Sequence, residues 1–469
     1  MVQKLNISVS CPSCGAPLEL QERANVARCP FCDLPLLFRS PDSILAYYLE
    51  PKVNRKEIPF HLDRFRKEKG ESLSRRVDEI KLYYLPFWRF TCEIFYTLVD
   101  DFSVEPFLER TEAEILTRDW DINFPAHSSN DFALSSLGLR PEWLKLRILT
   151  DKNLIQTGNA LKLELNSSSA KQRAHKCLQL FMEGKRSSGK ELITKLLDES
   201  LSLIYFPLWT VNFITNDGKY HQIIDGITGR TLKQNPGYFE LRENSNRETK
   251  EISTPKIIPH RCPNCGWDLP ITPFHWIFPC ENCNRLWGIS ANGYQPIKGE
   301  IARLKDSELT KPSKSICYYP FWVFQARPAK EKDCPIRKLV ELFPSEIGWF
   351  KVKDKSKPFL FYVPAFEIKN SSKIPALSLV LTRTQPDLET EIWEKTKLSG
   401  AVMSVQDARK IARFLWIYLI SEKINLPGNE WKKLVLEKGK LIWYPYYEEC
   451  NFLEDLVTGY TFQMYKPQV

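Results

Sequence analysis

Cys11-Pro12-Ser13-Cys14-Gly15 and Cys29-Pro30-Phe31-Cys32-Asp33 form a C-x2-C-x14-C-x2-C array, and the same array returns at Cys262, Cys265, Cys280 and Cys283. Two sulfurs three residues apart can reach one ion, and two such pairs complete the four-thiolate tetrahedron of a structural zinc site. Gly15, Asp33, Gly266 and Asn284 each follow a pair. These residue types tolerate a left-handed backbone, which lets the chain turn around the metal and aim its amides at the sulfurs. The first array predicts a hairpin with strands over 16–20 and 26–28 and its tip at 21–25.

The chain has 469 residues, too many for one ordinary core, with 43% hydrophobic and 12% aromatic content. Eight of its 13 cysteines belong to the two arrays, which favours metal ligands and buried thiols over a disulfide framework. The opening residues lack the basic and apolar regions of a secretory signal, and the longest apolar run is too short to span a bilayer, so a cytoplasmic location is expected. The formal charge is +9, and each Zn²⁺ held by four thiolates adds −2. Residues 1–250 carry 35 Lys and Arg against 33 Asp and Glu, so their excess of +2 falls to zero with metal bound. The remainder keeps +5. This balance argues against nucleic-acid binding spread over the whole protein.

Tyr84-Leu85-Pro86-Phe87-Trp88 places an aromatic two residues before and two after a proline, on one face of an extended segment. Related copies surround Pro207, Pro320, Pro364 and Pro445. Aligning the arrays sets Pro86 against Pro320, Pro207 against Pro445, and Asn123-Phe124-Pro125-Ala126 against Tyr362-Val363-Pro364-Ala365. Both halves close on D-x-x-T-G, at 225–229 and 455–459. The expected fold is α+β with an internal duplication, each half an N-terminal four-cysteine zinc ribbon followed by a mixed, mostly antiparallel α/β body. The boundaries are ribbon 1 at 1–40, its body at 41–250, ribbon 2 at 255–295 and its body at 296–469, with a polar linker at 242–259. Helices are expected over 72–82, 170–182 and 407–420. Because proline breaks a ladder, the proline strands are expected at sheet edges or to begin at the proline. D-x-x-T-G reads as a turn in which Asp accepts amide hydrogens and Gly takes positive φ, and Asn216-Asp217-Gly218 reads as a tight hairpin.

The sequence contains no G-x-S-x-G, H-E-x-x-H or phosphate-binding glycine motif, so no catalytic residue is assigned. Four thiolates already saturate each metal, and His260 and His275 are read as surface residues. Aromatic faces at alternate strand positions are read as core ahead of a base-stacking platform. Lys351, Lys353, Lys355 and Lys357 are candidate contacts to a partner or to nucleic-acid phosphates.

The C-P-x-C-G knuckles resemble the zinc-ribbon superfamily, which occurs in transcription factors, ribosomal proteins and RNA polymerase subunits. The bodies resemble those of uncharacterised bacterial zinc-ribbon proteins with Y-x-P-x-W and D-x-x-T-G motifs. The resemblance implies two structural Zn²⁺ ions and a role in a larger assembly. The expected function is a non-enzymatic, zinc-stabilised scaffold or adaptor for protein partners, without membrane insertion or a small-molecule substrate. The alternative is a nucleic-acid-binding protein that uses the basic second half.

Overall fold

The structure, a computed structural model, describes residues 6–39, 44–70, 75–100, 115–127, 132, 134, 136–137, 145–149, 159–185, 190–239, 252–253, 256–290, 293–303, 316–329, 356–368, 371, 373–386, 389–393, 397–421, 433–449 and 452–463. It is mostly sheet, with four helices among these residues: α1 (Ile58–Lys69), α2 (Ser167–Glu183), α3 (Lys373–Thr384) and α4 (Val405–Ser421). None of them is long and apolar enough to cross a membrane.

The first half contains β1 (Asn6–Ser10), β2 (Pro17–Gln21), β3 (Val26–Arg28), β4 (Pro35–Arg39), β5 (Ile44–Leu49), β6 (Arg76–Asp100), β7 (Leu116–Pro125), β8 (Lys145–Ile148), β9 (Asn159–Ala160), β10 (Lys190–Thr215), β11 (Gly218–Asp225) and β12 (Thr231–Pro236). The long strands β6 and β10 pair antiparallel along nearly their whole length. Around them the sheet runs β12-β11-β10-β5-β8-β1-β2, and β6 also holds β7 and β9. On one face, Tyr84, Trp88, Phe90 and Ile94 pack against Ala170, Ala174 and Leu178 of α2. Those helix positions recur every four residues, as a single buried stripe requires. The opposite face, with Tyr83, Leu85 and Phe87, receives Cys11, Cys29, Leu36 and Phe38 of the first cysteine region.

The second half contains β13 (Ile252–Ser253), β14 (Lys256–Pro259), β15 (Ile277–Cys280), β16 (Arg285–Ser290), β17 (Gly293–Ile297), β18 (Gly299–Arg303), β19 (Ile316–Pro328), β20 (Leu360–Pro364), β21 (Glu389–Ile392), β22 (Leu434–Leu436), β23 (Lys440–Glu449), β24 (Phe452–Asp455) and β25 (Thr461–Gln463). Its main sheet follows β20-β19-β23-β18-β21. Trp322 and Trp443 lie in one core cluster with α4, while Phe321 and Tyr444 share another with Leu377 and Leu381 of α3. Phe95, Ile193 and Leu197 from the first half enter the α4 cluster. Lys410 of α4 also pairs with Glu199 at 3.0 Å. The halves therefore share apolar core as well as an ion pair.

The strands carrying Pro86, Pro207, Pro320 and Pro445 occupy central positions, contrary to the edge placement expected from sequence, while β20 with Pro364 lies at the edge of its sheet as expected. Pro86 lies opposite Tyr205 on β10, and Pro320 lies opposite Trp443 on β23. The ladder survives because each proline sits where the neighbour on its N–H side has just ended. The carbonyls of Pro86, Pro207, Pro320 and Pro445 accept from the amides of Ala126, Gly226, Ala365 and Leu456. Those amides follow the last residues of β7, β11, β20 and β24. In an antiparallel strand a residue's N–H and C=O point to the same side, so the missing donor costs no ladder bond.

The region 72–82, expected as a helix, is not one in its described part, because β6 begins at Arg76 and continues through Leu82. Pairing with β10 overrides the weak helical spacing of Val77 and Ile80. The nearby helix is α1, with Pro59 in its first turn and Gly70 closing it at φ 68°. The linker expected at 242–259 ends in two strands, since β13 pairs with β5 and β14 with β4. Aromatic faces are core: Trp88, Trp209, Trp322 and Trp443 are all buried. Their indole N–H groups donate to the carbonyls of Leu165, Val53, Met403 and Ser399.

Candidate metal centres

Each cysteine pair closes its own tight turn. Gly15, Asp33, Gly266 and Asn284 have φ of 73°, 59°, 74° and 52°, the left-handed conformation expected of them. Their amides donate to the carbonyls of Cys11, Cys29, Cys262 and Cys280 at 2.9, 3.0, 2.9 and 2.9 Å. The chain thereby reverses at every pair with both sulfurs on the inside. The strands over 17–21 and 26–28 do not pair with each other as the sequence reading expected. Instead β2 pairs with β1 and β3 with β4, because a cysteine turn is itself a hairpin tip.

In both clusters the four sulfurs lie within 4.8 Å of one another. Cys11 and Cys32 are 3.7 Å apart, and Cys14 and Cys29 are 3.8 Å apart. The pairs Cys262–Cys283 and Cys265–Cys280 are each at 3.6 Å. A regular tetrahedron with metal–sulfur arms of about 2.3 Å has edges of about 3.8 Å, whereas a disulfide is about 2.05 Å. All eight thiols are free, and their spacing fits a four-coordinate ion. The distances suit zinc and iron equally.

Burial is graded across each cluster. Cys11, Cys29, Cys262 and Cys280 are buried, Cys283 is half-buried, and Cys14, Cys32 and Cys265 are exposed. The Cys265 thiol is pushed down to about 6 by the Asn282 side chain and the Trp267 amide. Burial pushes Cys280 up to about 12. Metal binding to such a set displaces protons and ties affinity to pH. Trp287 donates its indole N–H to Cys262 Sγ at 3.1 Å, an outer contact that orients the ligand and stabilises negative sulfur. Nothing in the cysteine spacing pointed to this tryptophan.

The two histidines read as surface residues are buried, His260 fully and His275 nearly so. Burial lowers both to about 4, so each is neutral at pH 7. His260 Nε2 then carries the hydrogen and donates to the Pro270 carbonyl at 3.0 Å, and Nδ1 accepts from the Tyr294 hydroxyl. These bonds place His260 in the scaffold of the second cluster, outside its ligand set.

A buried ion network anchors the first cysteine region to its body. Arg89 on β6 holds Asp121 of β7 through two nitrogens, with Nη2–Oδ2 at 2.6 Å, and reaches Glu22, between β2 and β3, with Nη1. Burial opposes the Arg89 charge, but the two carboxylates outweigh it and raise its pKa. Beside this network, Arg23 pairs with Asp198 and Thr91.

Asp225 and Asp455 are turn residues, as the D-x-x-T-G pattern predicts. Asp225 Oδ1 accepts from the amides of Ile227 and Thr228 at 2.7 and 3.2 Å, and Asp455 Oδ1 accepts from Val457 at 2.8 Å. Gly229 and Gly459 close these turns at φ 71° and 73°. Of the four candidate lysines, Lys357 is exposed, while Lys351, Lys353 and Lys355 lie outside the described residues. Comparison with known protein families, curated proteins and solved structures returns no match for this chain.

Proposed function

We propose that the chain is a non-enzymatic scaffold or adaptor, stabilised by two structural zinc ions, that presents two copies of one module to protein partners. The observation carrying this reading is the way the cysteine turns join separate sheets. Cys11 and Cys14 sit between β1 and β2, which belong to the first body's sheet. Cys29 and Cys32 sit between β3 and β4, in a different sheet with β14. Cys262 and Cys265 follow β14, and Cys280 and Cys283 lie at the junction of β15 and β16. One ion in each cluster would staple neighbouring sheets in series. Four thiolates leave no open coordination position for catalysis, and zinc suits a tetrahedral site without a redox role.

Matching registers support the duplication. Pro86 opposite Tyr205 and Tyr84 opposite Pro207 correspond to Pro320 opposite Trp443 and Tyr318 opposite Pro445. Phe87 opposite Pro125 corresponds to Phe321 opposite Pro364, and Leu208 opposite Asp225 corresponds to Tyr446 opposite Asp455. A shift of one residue would reverse the face of every aromatic side chain, so equal registers in three strand pairings point to one ancestral unit.

Affinity purification of the tagged full chain from its native cells, after nuclease digestion, tests the scaffold reading. Recovery of a stoichiometric protein partner is expected, and its absence overturns the reading. Binding to single- and double-stranded DNA and RNA across a salt series checks the alternative, which requires measurable affinity near 50 mM salt that falls steeply as salt rises.

A further inference from the structure

We infer that the two metal sites load as a coupled pair, because the hairpin carrying half of the first site forms the supporting wall of the second. The inference rests on the reading of both cysteine clusters as metal sites. The hairpin is β3–β4, with Cys29 and Cys32 at its tip. Along one edge it pairs with β14, Ile257 opposite Phe38 and Ile258 opposite Leu37. The ladder continues through the His260 amide, which donates to the Pro35 carbonyl at 2.8 Å, two residues before the ligand Cys262. At the other end Asn25, just before β3, donates its backbone amide to the Pro273 carbonyl at 2.5 Å and its side-chain amide to the His275 carbonyl at 3.0 Å. The segment 273–275 leads into β15, which ends on the ligand Cys280. Both cysteine pairs of the second site are therefore anchored to one hairpin of the first.

Apolar packing joins the same parts. Val26 and Leu37 are fully buried and share a cluster with Cys262, Cys280, Phe278 and Trp287. The hairpin cannot hold this position by itself, since β3 has three residues and an isolated short hairpin is marginal in water. Leu36 and Phe38 pack it on the sheet face of Tyr83, Leu85 and Phe87, and its tip is tied there further by the ion that joins Cys29 and Cys32 to Cys11 and Cys14. Loss of that ion frees the hairpin tip and loosens the wall of the second site. Loss of the second ion releases β14 and 273–275 and withdraws packing from Val26 and Leu37. Linkage makes the two effects equal in free energy.

The full-length chain tests this directly. Elemental analysis of the wild type sets the baseline, expected at about two zinc ions per chain. The double variant Cys11→Ser/Cys14→Ser keeps all four ligands of the second site and every contact between the ribbons. Competition against a chelator of known zinc affinity is expected to show the second site weakened about tenfold. Cys262→Ser/Cys265→Ser should weaken the first site by a similar factor. Asn25→Ala keeps all eight cysteines and is expected to lower second-site affinity several-fold, which decides the matter if the cysteine variants fail to fold. Fewer than two ions in the wild type overturns the metal reading itself. Two ions in the wild type, with the remaining site within twofold of wild-type affinity in the folded variants, overturns the coupling alone.

Discussion

Replacing Arg89 with Met removes the cation between the first cysteine region and the sheet of β6 and β7 while keeping an unbranched side chain of similar length. The Arg89 side chain is 2% exposed, and its partners Glu22 and Asp121 are 12% and 28% exposed. Deleting one member of a buried ion pair costs about 3–5 kcal/mol, because the partner keeps its charge without compensation. Here two carboxylates are left, but Asp121 is open enough to rehydrate, so the lower end applies, about 3 kcal/mol. That energy corresponds to opening on the order of a hundredfold more frequent. Hydrogen exchange read by mass spectrometry over β1, β2 and the Glu22 turn should show it, together with an earlier first transition in urea. Converting both acids as well, in Arg89→Met/Glu22→Gln/Asp121→Asn, should recover most of the loss, since no charge is then stranded. A change below about 1 kcal/mol in the single variant would refute the argument and class the network with weak surface pairs.

Gly229→Ala should destabilise more than Gly459→Ala, although both residues have positive φ, because a Cβ at 229 meets the His61 ring at 2.1 Å and one at 459 meets nothing within 4 Å. The second substitution carries only the backbone cost of about 1–2 kcal/mol, and thermal unfolding of the pair measures the difference. Below pH 6.5 the unfolded chain binds a proton at His275 that the folded chain, with this group held at about 4, refuses. Stability therefore rises with pH between about 4 and 6.5, by up to about 3 kcal/mol for this residue, and His275→Gln should flatten that slope in urea titrations at fixed metal. Cys14→Ser should lower the metal content from two ions per chain toward one in elemental analysis, and an unchanged value would remove Cys14 from the ligand set.

Features governed by neighbours in the chain were legible before any fold was known. Positive φ at Gly15, Asp33, Gly266 and Asn284 follows from the turn each cysteine pair must make, and the Asp225 and Asp455 turns follow from short-range bonding. The Asn216-Asp217-Gly218 hairpin is present, with Thr215 paired to Gly218. Features set by distant neighbours were misread. The start of β6 looked helical because the pairing partner that makes it a strand lies more than a hundred residues away on β10. His260 and His275 looked exposed because the groups that bury them belong to other segments, including Tyr294 and Gly400.

The sequence alone determined the two four-thiol clusters and the turn at each pair, because two-residue spacing and left-handed residues act locally. It also marked the aromatic-proline segments as strands. Only the tertiary structure decided that four prolines sit inside sheets where a neighbouring strand ends, and that Arg89 is locked to Glu22 and Asp121. It alone revealed that β4, which follows the first cysteine cluster, pairs with β14, which precedes the second. Register between strands and docking between the two cysteine regions depend on which surfaces meet, and surfaces form only after the chain has folded.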